Sequence, residues 1–147
     1  MNAKLIAELF ERDIKNLQKE ILLYKKQEDL WKIQGGISNS GGTLCLHLIG
    51  NLNHFIGSVL GKTGFVRERE KEFSDRNITR EKITEQFDHA VKMVNDVLNR
   101  LSDEDLAKEF PIDFGGKKKT IQVLMILIAH FNYHLGQINY HRRLISA

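Results

Sequence analysis

Thr120-Ile121-Gln122-Val123-Leu124-Met125-Ile126-Leu127-Ile128-Ala129-His130-Phe131-Asn132-Tyr133-His134-Leu135-Gly136-Gln137-Ile138-Asn139-Tyr140-His141 contains no Asp, Glu, Lys or Arg. The stretch from Ile33 to Gly61 is equally free of them. A helix without a charged side is interior, lies at an interface or crosses a membrane. Several His and Asn residues interrupt both stretches, and each would be costly in hydrocarbon unless paired. The two segments therefore read as central helices, or as helices partly covered by a second subunit, and no membrane is expected.

The other long segments carry ordinary amphipathic seams. Ala3, Ala7, Phe10, Ile14, Leu17, Ile21 and Tyr24 alternate spacings of four and three, which predicts a first helix over roughly 3–28. Ile83, Phe87, Ala90, Val94, Val97 and Leu101 predict a third over roughly 80–101, with Thr79 as its N-cap. The charge-free stretches supply the second, roughly 42–60, and the fourth, roughly 120–145. Glycines and serines at 34–42 make a turn ahead of the second helix, and 61–78 is a connection long enough to cross the end of a bundle. Ser102-Asp103-Glu104-Asp105 reads as the capped start of a short helix, followed by an extended piece with a glycine turn at 111–117. The fold expected is all-α, one domain over 1–147.

Composition narrows the function. The 147 residues are 41% hydrophobic and 28% charged, enough to bury a core. A net charge of +3 is spread along the chain rather than gathered in basic blocks, so nucleic acid is not an expected partner. One cysteine, Cys45, excludes an internal disulfide and any multi-cysteine metal site, and it reads as a buried inert thiol. Met1-Asn2-Ala3-Lys4 leads straight into a charged amphipathic pattern, so a cytoplasmic location is expected.

Five of the six histidines fall in the charge-free helices: His47, His54, His130, His134 and His141. At ~100° per residue, His130 and His134 lie one turn apart and ~40° around the axis, so their imidazoles can converge on one cation. A third ligand would come from the second helix, where His47 and His54 share a face and spacing does not choose between them. The competing reading makes these histidines core polar groups bonded to carbonyls. Neither helix offers a carboxylate to satisfy them, which favours a metal; neutral imidazole suits zinc or nickel.

Leu44-Cys45-Leu46-His47-Leu48-Ile49-Gly50-Asn51-Leu52, taken with Ala129-His130-Phe131-Asn132-Tyr133-His134-Leu135-Gly136-Gln137-Ile138, resembles the DinB-like (YfiT-like) metalloenzyme superfamily. Asn39-Ser40, Arg67-Glu68-Arg69 and Glu72-Phe73 resemble one branch of it, a domain of unknown function. The resemblance covers most of the chain. It implies a four-helix bundle in up-down-down-up order, with a long crossover between the second and third helices. It also implies a divalent metal held by His47, His130 and His134, with His54 and His141 outside that triad. The superfamily includes thiol-dependent transferases.

Three protein ligands leave a coordination position open, as in catalytic rather than structural sites. The leading expectation is a thiol-dependent transferase or small hydrolase on a bundle that forms a homodimer, with a low-molecular-weight thiol as a partner. The alternative is a non-catalytic metal-binding or stress-associated bundle. Around the ligands, Asn51 is placed to bond an imidazole, a substrate oxygen or a neighbouring helix. Gln137 is placed to orient His134 or His141, and Arg67 to take a carboxylate, whether from substrate or a nearby Glu. Trp31 reads as a cap on the bundle end, and His89, among the charges of the third helix, as solvated.

Overall fold

A computed structural model describes residues 2–146, so the expected domain bounds at 1 and 147 lie outside the described residues. Six α-helices are present among them: α1 (Ala3–Leu23), α2 (Gly41–Leu52), α3 (Arg69–Ser74), α4 (Arg80–Leu98), α5 (Asp103–Ala107) and α6 (Thr120–Ile145). There is no strand among the described residues, only an isolated bridge between Glu109 and Lys119. The chain is all-α, as its periodicities predict.

α1 buries Ala3, Ala7, Phe10, Ile14, Leu17 and Ile21, the predicted seam, together with Ile6. It stops at Leu23 rather than 28. The reason is Tyr24, whose ψ of 129° is extended; its hydroxyl bonds His141 Nδ1 at 2.6 Å and its carbonyl accepts from Arg80. Those tethers pull the chain out of helical register, and a 3-10 turn, Gln27–Trp31, follows. Trp31 is buried and donates to the Ile78 carbonyl at 3.2 Å.

α2 is the most enclosed element, with every residue from Gly41 to Leu52 buried. Ser40 caps it by accepting from the Thr43 amide at 3.1 Å. Its first two residues are glycine because a Cβ at Gly41 would strike the Tyr24 hydroxyl and one at Gly42 the Trp31 ring. The predicted continuous helix to 60 instead changes winding: Asn53–Leu60 is a π-helix. By length and composition Gly41–Leu60 is apolar enough to cross a membrane, yet 61% of that window is buried inside the protein, as in a core helix.

α4 begins at the predicted cap, Thr79 Oγ1 accepting from the Lys82 amide at 3.2 Å, and ends at Leu98, so that Leu101 falls outside it. Gln18 Nε2 donates to the Thr84 carbonyl at 3.0 Å and Asn95 Nδ2 to Glu11 at 3.3 Å, so α1 and α4 run antiparallel. Asn132 donates to Asp13 at 2.6 Å and Asn139 to Glu20 at 2.8 Å, so α6 runs parallel to α1. α2 runs against α6, with Gly41 beside His141 and His47 beside His130.

Two connections differ from expectation or refine it. The segment at 61–78 contains α3, which packs on α2. At 111–117 Gly115 and Gly116 take φ of 61° and 104°, the left-handed region the glycine turn requires. α5 carries a capping box in which the Ser102 and Asp105 side chains bond each other's backbone amides.

Of the two readings given to the charge-free stretches, α2 is the central helix, whereas α6 is interior on one side only. Val123, Leu124, Leu127, Phe131 and Ile138 are buried, whereas Met125, Ile126, Tyr133, Tyr140 and Leu144 are exposed on the opposite side. Lack of charge here marks an apolar outer face rather than enclosure.

Candidate metal centre

The antiparallel contact of α2 and α6 brings His47, His130 and His134 together. One ligand nitrogen from each lies within 4.8 Å of the other two. His130 Nε2 sits 3.1 Å from His47 Nε2 and 3.1 Å from His134 Nε2.

The outer ring nitrogens decide which way the lone pairs face. His47 Nδ1 lies 3.1 Å from Glu72 Oε1, and a carboxylate only accepts, so Nδ1 carries the proton and Nε2 is left with its lone pair inward. His134 Nδ1 lies 2.7 Å from Gln137 Oε1, which assigns the same tautomer there. Two acceptor nitrogens therefore face the His130 Nε2 between them. One N–H cannot make a full hydrogen bond to both, and three imidazoles turned inward in this way lie close enough to hold a divalent cation. Tetrahedral zinc with Zn–N of ~2.0–2.1 Å holds its donors ~3.3–3.4 Å apart, close to the spacing observed here.

Burial drives the electrostatics. It pushes the His130 imidazole down to about 4, helped by the neighbouring His134, His47 and Arg67. Burial lowers His47 as well, against the pull of Glu72. Both rings are neutral at pH 7, which keeps their lone pairs available.

Glu72, from α3, is the residue that sequence reasoning missed; no carboxylate was expected to reach these imidazoles. It is buried, and Arg67 grips both of its oxygens, Nε to Oε2 at 2.8 Å and Nη2 to Oε1 at 2.9 Å. Arg67 thus takes a carboxylate as expected, from inside the chain and with its side chain only 12% exposed. Gly50 was the available signal: a Cβ there would collide with the Glu72 carboxyl group.

The remaining candidates separate. Gln137 orients His134, not His141. His141 has both nitrogens engaged, Nδ1 with the Tyr24 hydroxyl at 2.6 Å and Nε2 donating to the Lys32 carbonyl at 2.8 Å, so it ties α6 to the loop after α1. His54 falls outside the cluster and meets Phe55 edge-on, the ring centroids 4.7 Å apart. It lies two turns beyond His47, roughly 10 Å further along the rod. Asn51 is buried, and its Oδ1, like His130 Nδ1, finds no partner among the described residues. Cys45 is fully buried, which pushes its thiol well above the ordinary range. His89 is exposed.

Comparison with known proteins bears on the whole chain. A family model described as "Protein of unknown function (DUF1572)" matches residues 4–147. No curated protein matches the sequence.

Proposed function

We propose that this chain, which belongs to the DUF1572 family of proteins of unknown function, is a divalent-metal-dependent enzyme that uses His47, His130 and His134 as its protein ligands. The observation that carries the reading is the convergence of three Nε2 atoms whose outer nitrogens are already committed at His47 and His134. A zinc or nickel ion held there would supply Lewis acidity, bringing a water or thiol toward ionisation near neutral pH.

The chain's own residues supply orientation. Glu72 fixes the tautomer and plane of the His47 ring, and Arg67 holds Glu72 in that position. Gln137 does the same for His134. Glu72 has both oxygens occupied, so it is not a free base. That favours chemistry in which the nucleophile is activated at the ion, either transfer to a low-molecular-weight thiol or hydrolysis of a small substrate.

The fold belongs to the same reading: α1, α2, α4 and α6 as a DinB-like up-down-down-up bundle. Its support is the antiparallel run of α1 against α4 and α2 against α6, with α6 parallel to α1. A homodimer completes it, supported by the apolar outer face of α6.

The test is elemental analysis after incubation with zinc or nickel. Near-stoichiometric metal in the wild type, lost in His130→Ala, is the expected result. Wild-type protein that remains metal-free overturns the reading.

A further inference from the structure

Next to the histidine cluster lies a cavity of about 700 Å³ that the metal reading does not use. His134 and Gln137 line one part of it, Leu144 lies further along α6, Leu44 comes from α2, and the loop at 34–39 forms another wall. Its size falls within the ~300–1,000 Å³ of small-molecule sites. Among the described residues no Asp, Glu, Lys or Arg lines it, so away from the histidine cluster a charged group would lose its hydration without gaining a counter-charge. Ile37, 43% exposed, and Leu144, 75% exposed, present apolar surface to it. Burying that surface is the driving force available to a ligand. The polar side chains on its wall are neutral amides and hydroxyls, Gln34, Ser38, Asn39 and Tyr140, together with His141 and the His134–Gln137 pair.

We propose that this cavity binds an uncharged, largely apolar small molecule whose polar end lies at His134, making it the organic-substrate subsite beside the histidine cluster. Only the placement of that polar end rests on the metal reading. The cavity also limits the occupant: a volume of about 700 Å³ between the loop at 34–39, Leu44 of α2 and the last turns of α6 takes a small molecule rather than a folded partner.

Nile red, a neutral apolar dye, is the probe. The folded protein should bind it with enhanced fluorescence, and Ile37→Glu and Leu144→Glu should each weaken binding at least tenfold while leaving zinc binding unchanged. Both replaced residues are surface-accessible, so neither substitution strikes the core. Straight-chain neutral alcohols should displace the dye about fourfold better per added methylene, the equivalent of ~0.8 kcal/mol, until the cavity is full. On zinc-loaded protein 1-hexanethiol should outcompete 1-hexanol at least tenfold. Dye affinity unmoved by both substitutions, alcohols with no length dependence, or dye binding that strengthens as the protein is diluted, as it would if a second copy filled the groove, each overturn the cavity proposal. Equal competition by the thiol and the alcohol overturns the placement at His134. Zinc bound without dye defeats the cavity alone, whereas dye bound without zinc defeats the metal reading and leaves the apolar cavity standing.

Discussion

Glu72 occupies the space that a side chain on Gly50 would fill, and from there its carboxylate reaches His47 Nδ1 at 3.1 Å. Glycine inside a helix costs roughly 0.5–1 kcal/mol relative to alanine. Gly50→Ala should nonetheless destabilise, because the methyl group displaces a buried carboxylate. With His47 no longer held, zinc affinity should fall about 10–100-fold, the usual effect of losing a ligand's hydrogen-bond partner. Calorimetric titration checks this; wild-type affinity in the variant would show that Glu72 does not orient His47.

Removing the carboxylate's charge separates stability from binding. Glu72→Gln leaves the Arg67 guanidinium buried without a counter-charge, which should cost about 3–5 kcal/mol in denaturant unfolding. The double variant Glu72→Gln/Arg67→Gln should recover much of that loss while zinc affinity stays low. Full recovery of both would make the pair structural only.

The long helices were legible because each spends many residues on one period, so a single exception does not erase the pattern. The His130–His134 pair was legible for the same reason: four residues on one helix set a geometry that needs no tertiary information. Glu72 was not, since it lies 25 residues from His47 on a short helix inside a connection. Its neighbours Glu68 and Glu70 are equally acidic, and only Arg67 and the gap over Gly50 single it out. Spacing could not choose between His47 and His54, because two turns of one helix share a face and only the crossing with α6 decides which of them meets His130. The end of α1 was hidden because Tyr24 continues the apolar seam while its hydroxyl and carbonyl are bound to residues far along the chain.

Acid should loosen the metal-free fold. His130 lies near 4 in the folded protein against its ordinary 6.5, so the unfolded chain takes up the proton first. Stability is therefore complete above about 6.5 and is lost progressively as pH falls toward 4, with His47 acting in the same direction. The urea midpoint should be lower at pH 5 than at pH 7.5, and His130→Gln should shrink that difference. A midpoint that is flat or rises on acidification contradicts the assignment.

His141 and His130 share a helix but predict different phenotypes. His141→Ala removes the bond to the Lys32 carbonyl and one of two partners of the buried Tyr24 hydroxyl, which keeps the Ile138 carbonyl at 3.3 Å, so it should cost about 1–3 kcal/mol. Its zinc affinity should match the wild type. A variant that folds normally but has lost zinc would place His141 in the coordination sphere.

The outward face of α6 predicts self-association. Ile126, Ala129, Tyr133 and Gly136 recur at spacings of three and four, the period of a helix seam. All four are exposed, and none lines the cavity beside His134. Among the described residues nothing lies within 4 Å of where a Cβ on Gly136 would stand, so no contact among them requires glycine there. A second helix approaching closely would. Twofold pairing along this charge-free face meets no like-charge repulsion. Tyr133→Arg introduces that repulsion, and Gly136→Leu holds the helices apart. Sedimentation should find a dimer of the wild type at micromolar concentration and monomers of both variants, each with an unchanged helical spectrum. A monomeric wild type would leave the apolar face without a second copy to cover it.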